Sequence, residues 1–176
     1  MKAKKLLQVG QEDNPQGKLF GGEILDAQII LAGEIGNESG AKMVVNLAAS
    51  GADVTAETDQ CLKDLAQTDS QLDTLQEAIE KADQVKDAEK KKLLLAKIGA
   101  TQNHYCQQAE QLEKKLSSLE HHLHDLLEDA ELVVNKALHS GVEIHIFDKV
   151  LRTNRQYPPC KVKLEENKIE VEFKTS

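Results

Sequence analysis

Six histidines and three cysteines are the side chains of this 176-residue chain with the most evident capacity for chemistry. His121, His122 and His124 crowd the stretch EHHLHDLLED, residues 120–129. On a helix, His121 and Asp125 are four apart, as are His124 and Glu128, a spacing that lets two side chains reach one surface metal ion. A closed site needs more ligands, and the sequence indicates none, so a solvated helix face is the expected role and no metal or cofactor is implied. Nucleophilic catalysis needs a base beside its nucleophile and a third group to orient the base. His104 with Cys106 and His145 with Asp148 are the available pairs, and neither has a visible third member. Carboxylates for glycan chemistry reduce to Glu23, Asp26 and Glu34, which read as a wet face. No catalytic residue is assigned. Cys61, Cys106 and Cys160 are odd in number, widely spaced and outside any C-x-x-C arrangement, as expected of reduced thiols.

Composition points the same way. Aromatic residues make up 3% of the chain and charged ones 30%, with no Trp. That describes a soluble, elongated, helix-rich protein rather than an enzyme with a deep apolar pocket. The formal net charge of -8 opposes binding to a phosphate backbone, so nucleic acid is not an expected partner. The basic start, MKAKKLLQVGQED, has too short an apolar stretch for a secretion signal, and no run reaches the ~18 apolar residues of a membrane span. A cytoplasmic location is expected.

The elements that must carry these residues fall into three zones: 1–53, 54–139 and 140–176. In residues 18–49, short apolar runs recur between glycines, a pattern that suits the stacked rungs of a parallel β-helix. Gly21, Gly22, Gly33, Gly36 and Gly40 are the expected corner residues with φ > 0. A small antiparallel sheet is the alternative. After Gly141, VEIHIF (142–147) alternates with period two, and KVKLEENKIEVEF (161–173) reads as two runs paired around Glu166-Asn167, with Lys161, Lys163, Glu170 and Glu172 on a wet face.

The middle zone changes period. Asp53 or Thr55 is a plausible helix N-cap. Leu65, Thr68, Leu72, Leu75, Ile79 and Ala82 alternate spacings of three and four. Tyr105, Ala109, Leu112, Leu116, Leu119, Leu123, Leu126, Ala130, Val133 and Ala137 continue the alternation, and Ser140-Gly141 supplies a stop. A single helix of that length would span ~120 Å and strand two small β zones apart, so the chain is expected to fold back as an antiparallel coiled-coil hairpin. Two positions for the turn remain open: the polar break at residues 84–92, which would bring Cys61 close to Cys106, and the neighbourhood of Gly99, which would separate them.

The succession GGEI (21–24), GEIG (33–36), SGAKMVVNL (39–47), long hairpin and SGVEIHIF (140–147) resembles the C-terminal portion of the flagellar assembly protein A (FapA) family. That resemblance covers roughly residues 17–173. It implies an α+β fold in which a short right-handed parallel β-helix is interrupted by a coiled-coil hairpin. It also implies a non-catalytic cytoplasmic regulator of bacterial flagellation that binds a protein partner, in some members a sugar phosphotransferase-system IIA protein. Family members usually carry more β-helix and a further domain before the GGEI-like rung, so this chain is expected to be part of a longer protein. Ala41 and Lys42 stand where the family often has Thr.

One surface segment attracts attention without the resemblance. In EKKKLLLAKIG (89–99), three successive leucines cannot all enter one narrow seam. Lys90, Lys91, Lys92, Leu93, Leu94 and Leu95 are therefore the candidate partner-binding residues, with the lysines drawing in an acidic surface. The bland alternative is packing against a bent first helix or in a dimer. Self-assembly into a homo-oligomer through uncapped β-helix ends, or a β-helical enzyme acting on glycans or acyl groups, are the rival functions.

Overall fold

The computed structural model describes residues 6–10 and 16–174, so the basic residues 1–5 of the N-terminal reading lie outside it. It is a mixed α+β protein with ten strands and two helices among the described residues. Residues cluster into two compact units, one formed by Met1–Asp53 with His122–Ser176 and the other by Val54–His121.

In the first unit the chain alternates between two sheets. β1 (Leu6–Gln8), β2 (Lys18–Leu19), β4 (Ile29–Ile35), β6 (Glu131–Leu138), β9 (Cys160–Glu165) and β10 (Lys168–Phe173) form one. β3 (Gly22–Ala27), β5 (Met43–Leu47), β7 (Val142–Ile146) and β8 (Lys149–Arg152) form the other. β1, β4 and β6 pair in parallel, as do β3, β5 and β7. The small antiparallel alternative for residues 18–49 is thereby corrected. Direction reverses only afterwards, where β8 pairs antiparallel with β7, and β9 with both β6 and β10. Glu166 and Asn167 have φ of 47° and 63°, and two successive residues in that region form the tight hairpin turn that a two-residue loop favours.

Strand alternation places one face of each strand in a common aliphatic core: Ile24, Ile30, Ile35, Val45, Leu132 and Ile144 are among its members, all buried. Gly33 has a different role from the one its sequence context suggests. Its φ is ordinary, but a Cβ there would lie 2.5 Å from the backbone of Gln16, so close chain approach excludes any side chain. Gly141 has φ of 80° at the β6–β7 turn, and its N–H is bonded to Thr153 O. The buried Thr153 hydroxyl accepts from Val142 N–H at 2.9 Å and donates to His139 O at 2.8 Å, which satisfies the turn's polar groups.

The second unit consists of most of α1 (Gly51–Asp83) and α2 (Ala88–Glu128), joined by residues 84–87. The break therefore falls at the start of the polar stretch, and Gly99 sits inside α2. Asp87 explains the restart: its Oδ1 accepts from the N–H groups of Glu89 (3.1 Å) and Lys90 (3.2 Å), as an N-cap does. The helices run antiparallel, since Asp83 meets Lys91, Cys61 meets Leu112, and Glu57 meets Lys115. Burial follows the three-four alternation, with Val54, Cys61, Thr68 and Ala82 buried on α1 and Ile98 on α2.

Three expectations are corrected here. The helical run stops at Glu128, and Glu131–Leu138 is strand β6, because Leu132 and Val134 are buried in alternation with partly exposed neighbours; the three-four spacing of Ala130, Val133 and Ala137 suits a helix, whereas in the strand Val133 lies on the face opposite Leu132 and Val134. Helix α1 begins at Gly51, which leaves Asp53 in its first turn and Thr55 beyond the cap. Cys61 faces Leu112, about 9 Å of helix rise from Cys106, which is exposed, so the two thiols are not brought together.

Candidate functional site

The side chains with chemical potential are dispersed or engaged structurally. His121, His122 and His124 are exposed on α2, and His124 lies 3.7 Å from Glu128. Among the described residues no three His, Cys, Asp or Glu side chains gather as metal ligands. His104 contacts the Tyr105 ring rather than organising Cys106. His145 does not pair with Asp148 as nucleophilic catalysis would require: its Nε2 is 2.9 Å from Glu143, and Asp148 binds Lys149. That hydrogen bond, with help from Arg152, holds the Glu143 carboxyl below its ordinary range.

Glu34 is not the solvated carboxylate expected of a wet face. It is largely shielded on β4, with Lys18 of β2 at 2.8 Å and the buried His139 at 3.5 Å, and the hydrogen bond from Lys18 is the main cause that lowers its pKa. Sequence reasoning did not single out His139 because nothing local marks it; it becomes a partner of Glu34 only when β4 and β6 lie side by side. Lys18, Phe20, Glu34, Asn37, Ser39 and His139 line an open cleft of about 390 Å³. Burial pushes the Cys160 thiol up to about 11, which leaves it unreactive at neutral pH.

The surface that stands out is the start of α2. Leu93 is 62% exposed and Leu94 42%, and Leu93 lines a hollow of about 350 Å³ with Glu89, Lys92 and Ala96. Of the six sequence candidates, Lys90, Lys92, Leu93 and Leu94 are exposed. Lys91 and Leu95 turn partly inward, because they occupy positions of the seam. Lys91 Nζ binds the carboxylate of Asp83 at 3.0 Å and its carbonyl at 3.1 Å, closing the end of the helix pair. Lys90 lies 3.6 Å from Asp87. An exposed apolar pair ringed by ammonium groups can recognise an acidic, partly apolar surface, and it holds no group placed for bond making or breaking.

Comparison with known families decides the wider context. The family model for the flagellar assembly protein A β-solenoid domain matches residues 1–169. The chain belongs to the FapA family. The match covers nearly the whole FapA-family chain, both strand zones and the helices between them. No curated protein and no solved structure matches it significantly. No helix among the described residues is long and apolar enough to cross a membrane.

Proposed function

We propose that this FapA-family chain is a non-catalytic, cytoplasmic protein-interaction factor in flagellar assembly, and that its docking surface is the start of α2. In this reading the parallel-paired strands of the two sheets belong to successive coils of a short right-handed parallel β-helix, and α1 and α2 form an antiparallel coiled-coil hairpin inserted between two of those coils. Lys90, Lys92, Leu93 and Leu94 meet the partner, and Lys91 and Leu95 hold the surface in shape. A partner of acidic surface fits this chemistry, and a phosphotransferase-system IIA protein is the candidate that the family resemblance implies.

The observation that carries the reading is one of charge and exposure together. Residues 88–97 hold four Lys and one Glu in a chain of net charge -8, and two well-exposed leucines lie among them. The test is binding of a purified IIA phosphocarrier to the intact chain, to Leu93→Asp, and to a version with residues 54–121 replaced by a Gly-Ser linker. Binding that is retained by the linker version removes the helices from the function. Binding that is lost by the linker version and by Leu93→Asp supports the surface.

A further inference from the structure

The two helices differ in charge. α1 carries nine Asp and Glu against two Lys, whereas residues 88–97 of α2 carry four Lys against one Glu. The chain thus holds both a basic apolar patch and an acidic helix of the kind such a patch recognises. α1 also has an exposed leucine, Leu62, 46% accessible.

Leu62 and the hollow of α2 share one flank of the helix pair. In antiparallel helices, residues one place before a seam position meet on one side, and residues one place after it lie on the other. The ion pair between Glu57 and Lys115, at 2.8 Å, identifies the first side, since these residues precede Thr58 and Leu116 of the seam. Leu62 follows Cys61 and Lys92 follows Lys91, so both occupy the second side. Leu94 precedes Leu95 and belongs to the first. Beyond Lys92, Leu93 and Ala96 continue the hollow on the outward surface.

The levels along the helices also fit. Facing residues add to about 173, as Cys61 with Leu112 and Glu57 with Lys115 do, so Leu93 stands level with Glu80, about 27 Å of helix rise from Leu62. A two-fold axis midway between those levels therefore lays Leu93 of one copy on Leu62 of the other, twice. The same operation sets Ala96 against Ala66 about one turn further on, where small side chains let helices approach, and Lys92 beside Asp59. Gly99 comes next on the flank, and a Cβ there would meet nothing within 4 Å.

We propose that the occupant of the basic apolar patch is α1 of a second copy of this chain, in an antiparallel, two-fold pairing of the helical units. This rests on the reading of the start of α2 as a docking surface and gives a partner to its Lys92–Leu93 side, leaving Lys90 and Leu94 on the other flank; a hetero-partner that uses Lys92 and Leu93 would then compete with the second copy. A two-fold interface of this kind is self-complementary and closes on itself.

The test uses cysteine pairs in the full-length chain carrying Cys106→Ser, since Cys61 and Cys160 are buried. Under mild oxidation an equimolar mixture of the Leu62→Cys and Leu93→Cys proteins is expected to give a covalent dimer of about twice 19.5 kDa. Each protein alone, and the mixture of Leu62→Cys with Leu94→Cys, is expected to give none. Light scattering is expected to show a dimer in the unmodified chain, at least tenfold weaker in Lys92→Glu and restored when Asp59→Lys is added. A monomer at every soluble concentration, or a dimer indifferent to Lys92→Glu, overturns the pairing. The docking surface is judged separately: a monomer that still loses IIA binding with Leu93→Asp ends the self-pairing and leaves the surface standing.

Discussion

The two units bury apolar surface by different rules. In the strand unit, whole faces of six or more strands converge, and residues such as Ile30, Ile35, Leu132 and Ile144 are completely enclosed. In the helical unit only a narrow stripe is hidden, and its buried members on α1, Val54, Cys61, Thr68 and Ala82, are separated by seven, seven and fourteen residues. Thr68 keeps its hydroxyl satisfied by donating to Asp64 O four residues earlier. The first arrangement encloses most of its aliphatic residues, although Leu6, Phe20, Leu25, Val150 and Phe173 stay exposed on it. In the second, Leu93 and Leu94 stay exposed beside a cluster of lysines, and that conjunction of charge and apolar surface marks the candidate surface.

The sharpest way to break the comparison is to cut into each core. Ile144→Ala is expected to cost about 2–5 kcal/mol, the range for a fully enclosed aliphatic side chain that leaves a cavity. Hydrogen exchange resolved by segment is the appropriate readout, because two units need not unfold together. Amides of β4–β7 should lose protection while residues 54–121 keep theirs; equal loss in both would mean that the units share one cooperative core.

A smaller effect should appear at the helix restart. Asp87→Ala removes the acceptor for two N–H groups, and an N-cap loss of this kind costs about 1 kcal/mol. Faster exchange should be confined to the first turn of α2. No change there would show that the salt bridge of Lys91 to Asp83 alone fixes the turn.

The smallest effect is acid sensitivity confined to the strand unit. Glu34, Glu143 and Glu172 all have lowered pKa values, chiefly from hydrogen bonds with Lys18, His145 and Lys163 respectively. A carboxyl whose folded pKa lies below its unfolded one stabilises the fold fully above the ordinary value of 4.5 and loses that contribution as pH falls through the folded value. The melting temperature of the strand unit should therefore hold steady from pH 7 to about 5 and decline below about 4, more steeply than that of the helices. Charge-neutral substitution of Glu34 by Gln should flatten the decline.

Local patterns were legible wherever one period dominates. The heptad from Leu65 to Ala82, the alternation of VEIHIF and the Glu166-Asn167 turn each declare themselves within a dozen residues. Ambiguity arises where one segment carries two patterns: the three-four spacing of Ala130, Val133 and Ala137 suits a helix, while the alternation around Leu132 and Val134 suits the strand that pairs beside β4. Features created by long-range pairing left no local trace. Gly33 is required by the close approach of Gln16, in the segment before β2, and His139 acquires its role from Glu34, 105 positions away. At the candidate surface the sequence separates Lys90–Leu95 from its surroundings, but not the inward members from the outward ones, because the unbroken apolar seam begins only at Tyr105. Extended back by fours and threes it reaches Leu95 and Lys91.

The reversal of direction at β8, β9 and β10 bears on growth. A parallel stack can be lengthened indefinitely only if each end offers the next coil the same direction and register. Here one end closes with strands that run backwards, edged by the alternating charges of Lys168, Glu170 and Glu172. A parallel strand of a second copy therefore finds no continuing register on that side, and any growth there has to use another surface.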